Sequence, residues 1–256
     1  MVGYLGPERT LAAVVSEPPW SLVRQSWEPR LQRHGVVNAD GFGVGWFAPE
    51  MRLEPACYRS DRPIWADRSF ASLAGVVTSP VVLAAVRSAT SPSPSDISGA
   101  HPFTADRWLF AHNGKVFGFH DGVGTRLRRA VSGRREPGIV GAADSEVLFA
   151  LVLDRLDAGA GPGDALCDVV ATVEAEQGGR LTLLLTDGQR LAATRWGEDL
   201  HTVTRDAPSG REVQVASEPS DDGSDWQEVP DHSLVTVDLV DRHLTVHPIC
   251  LGGTTP

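Results

Sequence analysis

The chain has 256 residues, of which 41% are hydrophobic, and its 33 acidic and 23 basic side chains give a net charge of −10. This length can bury one substantial core, and the acidic balance excludes a broad basic face for nucleic acid. The three cysteines form no CxxC or zinc-ligand pattern, no apolar run approaches the roughly 20 residues that span a bilayer, and no signal-peptide pattern is found. We therefore expect a cytoplasmic protein without metal, membrane or nucleic-acid partners.

Short strands bounded by Gly, Asp or Pro follow one another along the chain, and two helices lie between them. The predicted strands are at 41–47, 81–87, 107–114, 180–188, 190–197, 211–219 and 232–240. Apolar residues at helical spacing predict helices at 142–159 and 162–177. Stretches rich in Ser, Pro or Gly at 88–102, 133–138 and 217–225 predict surface loops. Strands on both sides of a helix pair predict an α+β arrangement of sheets covered by helices.

The stretch NADGFGVGWF at 38–47 contains glycines at 41, 43 and 45. It is either a tight turn or the wall of a site, because glycine lets a backbone lie close to a ligand.

Arg87 ends the predicted strand at 81–87, in AVRSAT. An arginine there needs an anionic partner, which is either a ligand carboxylate bound by the planar guanidinium or an acidic side chain of the protein. An edge arginine is the third interpretation.

The dipeptide Asn113-Gly114, in AHNGKVFGF, follows an apolar strand. A side-chain amide and an unobstructed backbone N–H at a strand end suit an oxyanion hole. Asn-Gly is also a favoured type I′ hairpin turn, and both interpretations stay open.

Asp144 precedes an apolar helix in AADSEV. It is either the N-cap of that helix or a partner for a ligand ammonium group.

Taken in order, DGFGVGW, R-x-A-T, AHPF, HNG and DSE resemble the glutaminase domain of class II glutamine amidotransferases. Longer stretches are similar to the amidohydrolases of actinobacterial ergothioneine biosynthesis within that family, and the likeness covers nearly the whole chain. They include SLVRQSWEPRLQRHGVVNADGFGVGW, PIWAD, ALVLDRL, LLLTDG and AATRWG. The resemblance implies a single domain over 1–256 with the four-layer αββα sandwich of N-terminal nucleophile hydrolases.

The resemblance also implies roles for the matched residues. Arg87 would hold the α-carboxylate of a γ-glutamyl substrate, with assistance from Thr90. Asp144 would hold the α-ammonium group of the same substrate. Asn113 and Gly114 would stabilise the tetrahedral oxyanion.

The 38–45 loop, with Asn38, Asp40 and Gly41, would then line the pocket, which favours a site wall over an ordinary turn. His101 in AHPF is either a packed or capping residue or a group on the substrate side.

The implied activity is hydrolysis of the γ-glutamyl amide of γ-glutamyl-hercynylcysteine sulfoxide, which releases glutamate in ergothioneine biosynthesis without a cofactor. Two alternatives remain: an amidase directed at glutamine or glutathione, and a catalytically inactive γ-glutamyl-binding relative. Trp20, Trp27, Trp46 and Trp108 either belong to the core or stack on the trimethylammonium group of such a substrate.

The first residues depart from the family pattern. Members begin Met-Cys-Arg-His, then two residues, an aromatic residue and Leu-Gly, and the exposed cysteine is the nucleophile. The printed chain begins Met1, Val2, Gly3, so three residues are missing and we expect it to be inactive without an N-terminal cysteine. A truncated start, an inactive relative and an altered chemistry would each account for this.

Cys57, Cys167 and Cys250 are poor substitutes for that nucleophile, since none has an adjacent base in the sequence. Free cysteines commonly behave as small core hydrophobes.

Overall fold

The computed structural model describes residues 1–33, 35–88 and 97–251. The strands are β1 (Val2–Thr10), β2 (Phe42–Trp46), β3 (Ala56–Ser60), β4 (Thr78–Val86), β5 (Phe103–Ala105), β6 (Trp108–Val116), β7 (Gly179–Thr186), β8 (Arg190–Arg195), β9 (His201–Ala207), β10 (Gly210–Ala216), β11 (Gln227–Glu228), β12 (Ser233–Asp238) and β13 (Leu244–Pro248). The α-helices are α1 (Leu11–Val15), α2 (Leu22–Gln25), α3 (Arg68–Ala74), α4 (Val123–Ala130), α5 (Asp144–Asp157) and α6 (Pro162–Glu174). Among the helices of these ranges, none combines the length and apolar character required to span a bilayer.

The strands form two antiparallel sheets. The first sheet has the order β11-β9-β10-β1-β4-β2-β3, and the second has the order β13-β12-β8-β7-β6-β5. β1 lies inside the first sheet, where Val2 faces Ala216 of β10 on one side and Ala84 of β4 on the other. The first residues of the chain are therefore held from both sides.

Three clusters of buried apolar side chains fill the spaces between four layers. One cluster lies between the sheets and includes Leu5, Leu83, Leu109, Leu184 and Val213. A second joins the first sheet to α1 and α3, through residues such as Tyr4, Leu11, Phe42 and Phe70. The third joins the second sheet to α4, α5 and α6, through residues such as Phe110, Leu127, Leu148 and Leu166. This order of helices, sheet, sheet and helices confirms the predicted αββα sandwich.

All seven predicted strands and both predicted helices are present, with boundaries shifted by a few residues. The prediction was incomplete at β1, where Gly3, Gly6 and Pro7 interrupt the alternation of apolar residues and the pairing with β4 shifts register between Leu5 and Arg9. It also missed the strands β5, β9, β11 and β13 and the helices α1 to α4. Of these helices, α1 and α2 have five and four residues and are too short for a helical period to show. Part of the predicted 88–102 loop, residues 89–96, lies outside the described ranges.

Candidate active site

A cavity of about 390 Å³ lies where β1 begins and where β4 and β10 end. It is lined by residues from separate elements, including Met1, Arg87, His112, Asn113, Gly114, Asp144, Ser145, Ser217 and Glu218. We call Arg87, Asn113, Gly114 and Asp144 the glutamyl end of the cavity, after the roles that their motifs predict. The fold thus brings four sequence-predicted site residues onto one cavity.

Asn113 and Gly114 lie within β6, where they pair with Thr182 and Leu181 of β7. The hairpin-turn interpretation is therefore wrong, because the strand continues to Val116. Asn113 lies on the same face of β6 as Leu109 and Ala111, which belong to the cluster between the sheets. Its side chain therefore faces the space between the sheets.

Gly114 has a backbone φ angle of 142°, which residues other than glycine rarely adopt. A Cβ atom at this position would lie 1.9 Å from the carbonyl oxygen of Arg180. The backbone here accommodates only glycine, so the site depends on this residue for its local shape.

Asp144 is the first residue of α5, and Ala143 occupies the N-cap position. The N-cap interpretation is therefore wrong. The Oδ2 atom of Asp144 accepts a hydrogen bond from the N–H of Val116 at 2.8 Å, and its Oδ1 atom accepts one from the N–H of Ser145 at 2.8 Å. The carboxylate thus links the end of β6 to the start of α5, where the helix dipole favours negative charge.

The loop before α5 is fixed by Glu146, which is 6% exposed. Its carboxylate accepts hydrogen bonds from the N–H groups of Val140, Gly141 and Ala143 at 3.0, 2.8 and 3.3 Å. The start of α5, and with it Asp144, is therefore held in place from inside the protein.

Arg87 follows β4 directly and lines the cavity. Its guanidinium packs over Gly99, where a Cβ atom would lie 2.5 Å from Cζ of the arginine. Its backbone is held by two hydrogen bonds, from Asp40 N–H to the Arg87 carbonyl at 3.0 Å and from Arg87 N–H to the Gly41 carbonyl at 2.9 Å.

Of the residues predicted to line the pocket from the 38–45 loop, Asn38 is among those that line the described cavity, whereas Asp40 and Gly41 are not. The backbone of Asp40 and Gly41 is paired with that of Arg87, and a role of these three loop residues in substrate binding stays a prediction. The glycines at 43 and 45 serve packing: their Cβ atoms would lie 2.5 Å from the His101 carbonyl oxygen and 2.6 Å from Leu109. Thr90 lies outside the described residues.

His101 lines the cavity and is 9% exposed. Burial lowers the pKa of His101 well below its usual value, and His112 and Arg87 act in the same direction. Its Nε2 atom is buried without a hydrogen-bond partner among the described residues, and its ring packs edge-on against Phe103 at 4.7 Å. The structure places it at the cavity wall, and a role in substrate binding stays a prediction.

His112 and Ser145 are two cavity residues that the sequence interpretation missed. His112 is buried between β6 and α5, and its Nδ1 lies 2.9 Å from Ser145 Oγ, while its Nε2 lies 2.9 Å from the carbonyl oxygen of Arg180. Ser145 Oγ is also 3.2 Å from Asp144 Oδ1. The HNG and DSE motifs contain both residues, but their contact joins positions 33 residues apart and has no local signal.

Met1 directly precedes β1, lines the cavity and is 7% exposed. The Met1 amine donates to Ser217 Oγ at 2.8 Å. Burial lowers the pKa of this amine from 8.0 to about 6, and the nearby Glu218 acts in the opposite direction. The start of β1 therefore stands beside the glutamyl end.

No cysteine among the described residues lines the cavity. Burial raises the pKa of both the Cys57 and the Cys167 thiol to about 11, and Cys250 is exposed near the C-terminus. A low-pKa thiol is what nucleophilic cysteines require, so the structure agrees with the exclusion of these three as substitutes.

Another part of the cavity is lined by four charged side chains. We call this set the charged wall; it consists of Arg33, Arg180, Glu198 and Asp199. Ion pairs join Arg180 to Glu198 and Arg33 to Asp199.

None of the four tryptophans proposed to stack on a trimethylammonium group lines the described cavity. Trp20 instead packs between Arg24 and Arg30, with distances of 3.7 and 4.0 Å from the guanidinium carbons to its ring centre.

A family model described as glutamine amidotransferases class-II matches residues 10–237. The chain is 41% identical over 249 residues to the γ-glutamyl-hercynylcysteine sulfoxide hydrolase of Mycolicibacterium smegmatis, which covers 97% of this chain and 98% of the relative. It superposes with a TM-score of 0.70 on a class-II glutamine amidotransferase domain protein of Silicibacter pomeroyi, at 26% identity over 97% of this chain and 98% of that one. The glutamine phosphoribosylpyrophosphate amidotransferase of Bacillus subtilis shares the fold at 16% identity, with a TM-score of 0.67, and covers 98% of this chain and 49% of its own length.

Proposed function

Because the chain belongs to the class II glutamine amidotransferases, we propose that it hydrolyses the γ-glutamyl amide of γ-glutamyl-hercynylcysteine sulfoxide and releases glutamate. The observation that carries the proposal is the convergence of Arg87, Asn113, Gly114 and Asp144 on one cavity at the start of β1. The identity to a hydrolase named for this substrate, which extends over nearly the full length of both chains, supports the choice of substrate.

The glutamyl end offers a complementary group for each charged part of a γ-glutamyl ligand. The Arg87 guanidinium would bind the α-carboxylate with two parallel hydrogen bonds, and the Asp144 carboxylate would accept from the α-ammonium group. With both held, the γ-carbonyl carbon points along the cavity towards Asn113 and the start of β1. Asn38, which donates to Gln25 and Gln32, supports the neighbouring wall.

The reaction would proceed by acyl transfer to a cysteine thiolate that precedes β1. The sulfur attacks the γ-carbonyl carbon, and the oxygen takes the negative charge and is stabilised by the side-chain amide of Asn113 and the backbone N–H of Gly114. The C–N bond then breaks, the amine leaves with a proton, and water hydrolyses the thioester to free glutamate. In the family pattern, the position of Met1 is the second after that cysteine, a distance of roughly 7 Å along an extended strand.

The charged wall would accommodate the leaving group. Hercynylcysteine sulfoxide carries carboxylates and a trimethylammonium group, and the wall presents both guanidinium and carboxylate groups. Since no Trp, Tyr or Phe side chain lines the described cavity, we propose that Glu198 and Asp199 attract the trimethylammonium group by charge.

We also propose a reducing, cytoplasmic setting, which the three free cysteines support.

The proposal is tested by glutamate release from γ-glutamyl-hercynylcysteine sulfoxide with two proteins. One has the printed sequence, and the other, which we call the cysteine-extended chain, has Met-Cys-Arg-His in place of Met1. Release by the cysteine-extended chain alone is the expected result. Release by the printed chain would contradict the need for the N-terminal cysteine.

If both proteins bind L-glutamate but neither releases it from the substrate, the chain is a γ-glutamyl-binding relative. Faster release from glutamine or glutathione than from the sulfoxide would favour the alternative amidase.

A further inference from the structure

The side chains of His112 and Asp144 compete for a hydrogen bond from the Ser145 hydroxyl group. Ser145 Oγ lies 2.9 Å from Nδ1 of His112 and 3.2 Å from Oδ1 of Asp144. A serine hydroxyl has one proton to donate, so it can serve the histidine or the carboxylate, but not both.

The second ring nitrogen of His112 decides this competition. Its Nε2 lies 2.9 Å from the carbonyl oxygen of Arg180, and a carbonyl oxygen only accepts. Nε2 must therefore carry a proton. In the neutral ring, Nδ1 is then an acceptor, and the Ser145 hydroxyl donates to it.

The consequence falls on Asp144. Of its roughly four acceptor positions, two are filled by the backbone N–H groups of Val116 and Ser145. A hydroxyl proton from Ser145 would fill a third and would reduce the negative charge seen by a cation. With that proton held by His112, two positions remain for an incoming ammonium group.

We propose that His112 and Ser145 are positioning residues, in which Nδ1 of His112 accepts the hydrogen bond of the Ser145 hydroxyl and so keeps the Asp144 carboxylate open for the α-ammonium group of the ligand. The inference rests on the proposed function, because it concerns the γ-glutamyl ligand of the same cavity. All three side chains line that cavity, and His112 also holds the Arg180 carbonyl that packs against Gly114.

Two substitutions separate the roles of the two ring nitrogens. In His112→Gln, the amide nitrogen replaces Nε2 and still donates to Arg180, but no acceptor remains at the position of Nδ1. The Ser145 hydroxyl is then released to Asp144. In His112→Asn, the shorter side chain brings its amide oxygen to the position of Nδ1, and the bond to Arg180 is lost.

The experiment measures dissociation constants of the full printed chain for L-glutamate and for glutarate, which lacks the α-ammonium group. We expect His112→Gln to weaken glutamate binding about tenfold, with glutarate binding unchanged. His112→Asn should preserve the preference for glutamate. Thermal unfolding checks that each variant folds, and His247→Gln, at an exposed position on β13, is the matched control.

The decisive variant is the double substitution His112→Gln with Ser145→Ala. Because it removes the hydroxyl that His112→Gln releases, we expect it to recover the preference for glutamate. Failure of this rescue, or equal weakening of both ligands by His112→Gln, overturns the inference and leaves the proposed function standing. Absence of glutamate binding by the unaltered chain overturns the proposed function and the inference together.

Discussion

The two ends of the cavity are built in different ways. At the glutamyl end, Asn113 and Gly114 lie inside a strand, Asp144 begins a long helix, and Arg87 follows a buried strand. On the charged wall, Arg180 lies at the start of β7, but Glu198 and Asp199 lie in the connection between β8 and β9, and Arg33 is 58% exposed. Groups on regular elements hold a fixed geometry, whereas groups on connections adapt more readily. Under the proposed function, the part common to all γ-glutamyl ligands would meet the more rigid end, and the leaving group would meet the more adaptable one.

The largest effect is expected from Gly114→Ala. The added Cβ would clash with the Arg180 carbonyl and place alanine at a φ of 142°. We expect the free energy of unfolding to fall by about 3 kcal/mol and glutamate release by the cysteine-extended chain to be lost. Denaturant unfolding and the release assay measure both. Gly133→Ala is the control, since nothing lies within 4 Å of a Cβ atom there, and an equal loss from it would contradict the argument.

Asn113→Ala tests the oxyanion role at the same end. Loss of one oxyanion donor should lower kcat of the cysteine-extended chain by roughly 10² to 10³, because the hydrogen bond strengthens as negative charge develops. KM should change little. Steady-state kinetics with the sulfoxide substrate measure this, and a change confined to KM would assign Asn113 to substrate binding instead.

Arg87→Lys keeps the charge but removes the planar pair of donors. We expect the dissociation constant for L-glutamate to rise by about 10-fold to 30-fold. Titration calorimetry on the printed chain is sufficient, since no turnover is needed. Arg129→Lys, at an exposed position on α4, is the matched control, and unchanged affinity in Arg87→Lys would show that the guanidinium does not clamp the carboxylate.

The smallest effect is expected on the charged wall. Glu198→Gln should raise KM of the cysteine-extended chain for the sulfoxide substrate by roughly threefold, because Asp199 remains in the cavity to attract the trimethylammonium group. KM for glutamine, whose leaving group is ammonia, should stay the same. A larger effect than that of Arg87→Lys would reverse the proposed contrast between the two ends.

The layers of the fold were predictable because seven of the strands and the two long helices carry clear periodic patterns. β7 and α5 are examples in which apolar spacing and flanking Gly or Asp residues define the element. β1 was missed because its glycines and Pro7 break the alternation, and its position inside the sheet depends on partners about 80 and 210 residues away.

The cavity residues were predictable where the signal comes from the residue's own chemistry, as for Arg87 and Asp144. They were not predictable where a residue acts through a distant partner. Nothing near His112 in the sequence indicates that Ser145 will meet its ring, and nothing near Gly43 indicates the His101 carbonyl. A glycine-rich loop such as 38–45 is typical of a ligand-binding site, but glycines are equally required where the backbone packs closely against other parts of the protein.

The place of β1 inside the first sheet has a consequence for synthesis on the ribosome. Its partners are β4 and β10, and the wall beside its first residue is completed by Ser217 and Glu218. β1 must therefore wait for β10, about 210 residues later in the chain, before its backbone is paired on both sides. During translation the nascent chain carries an unpaired central strand, and the cavity closes only after β10 and residues 217 and 218 have emerged.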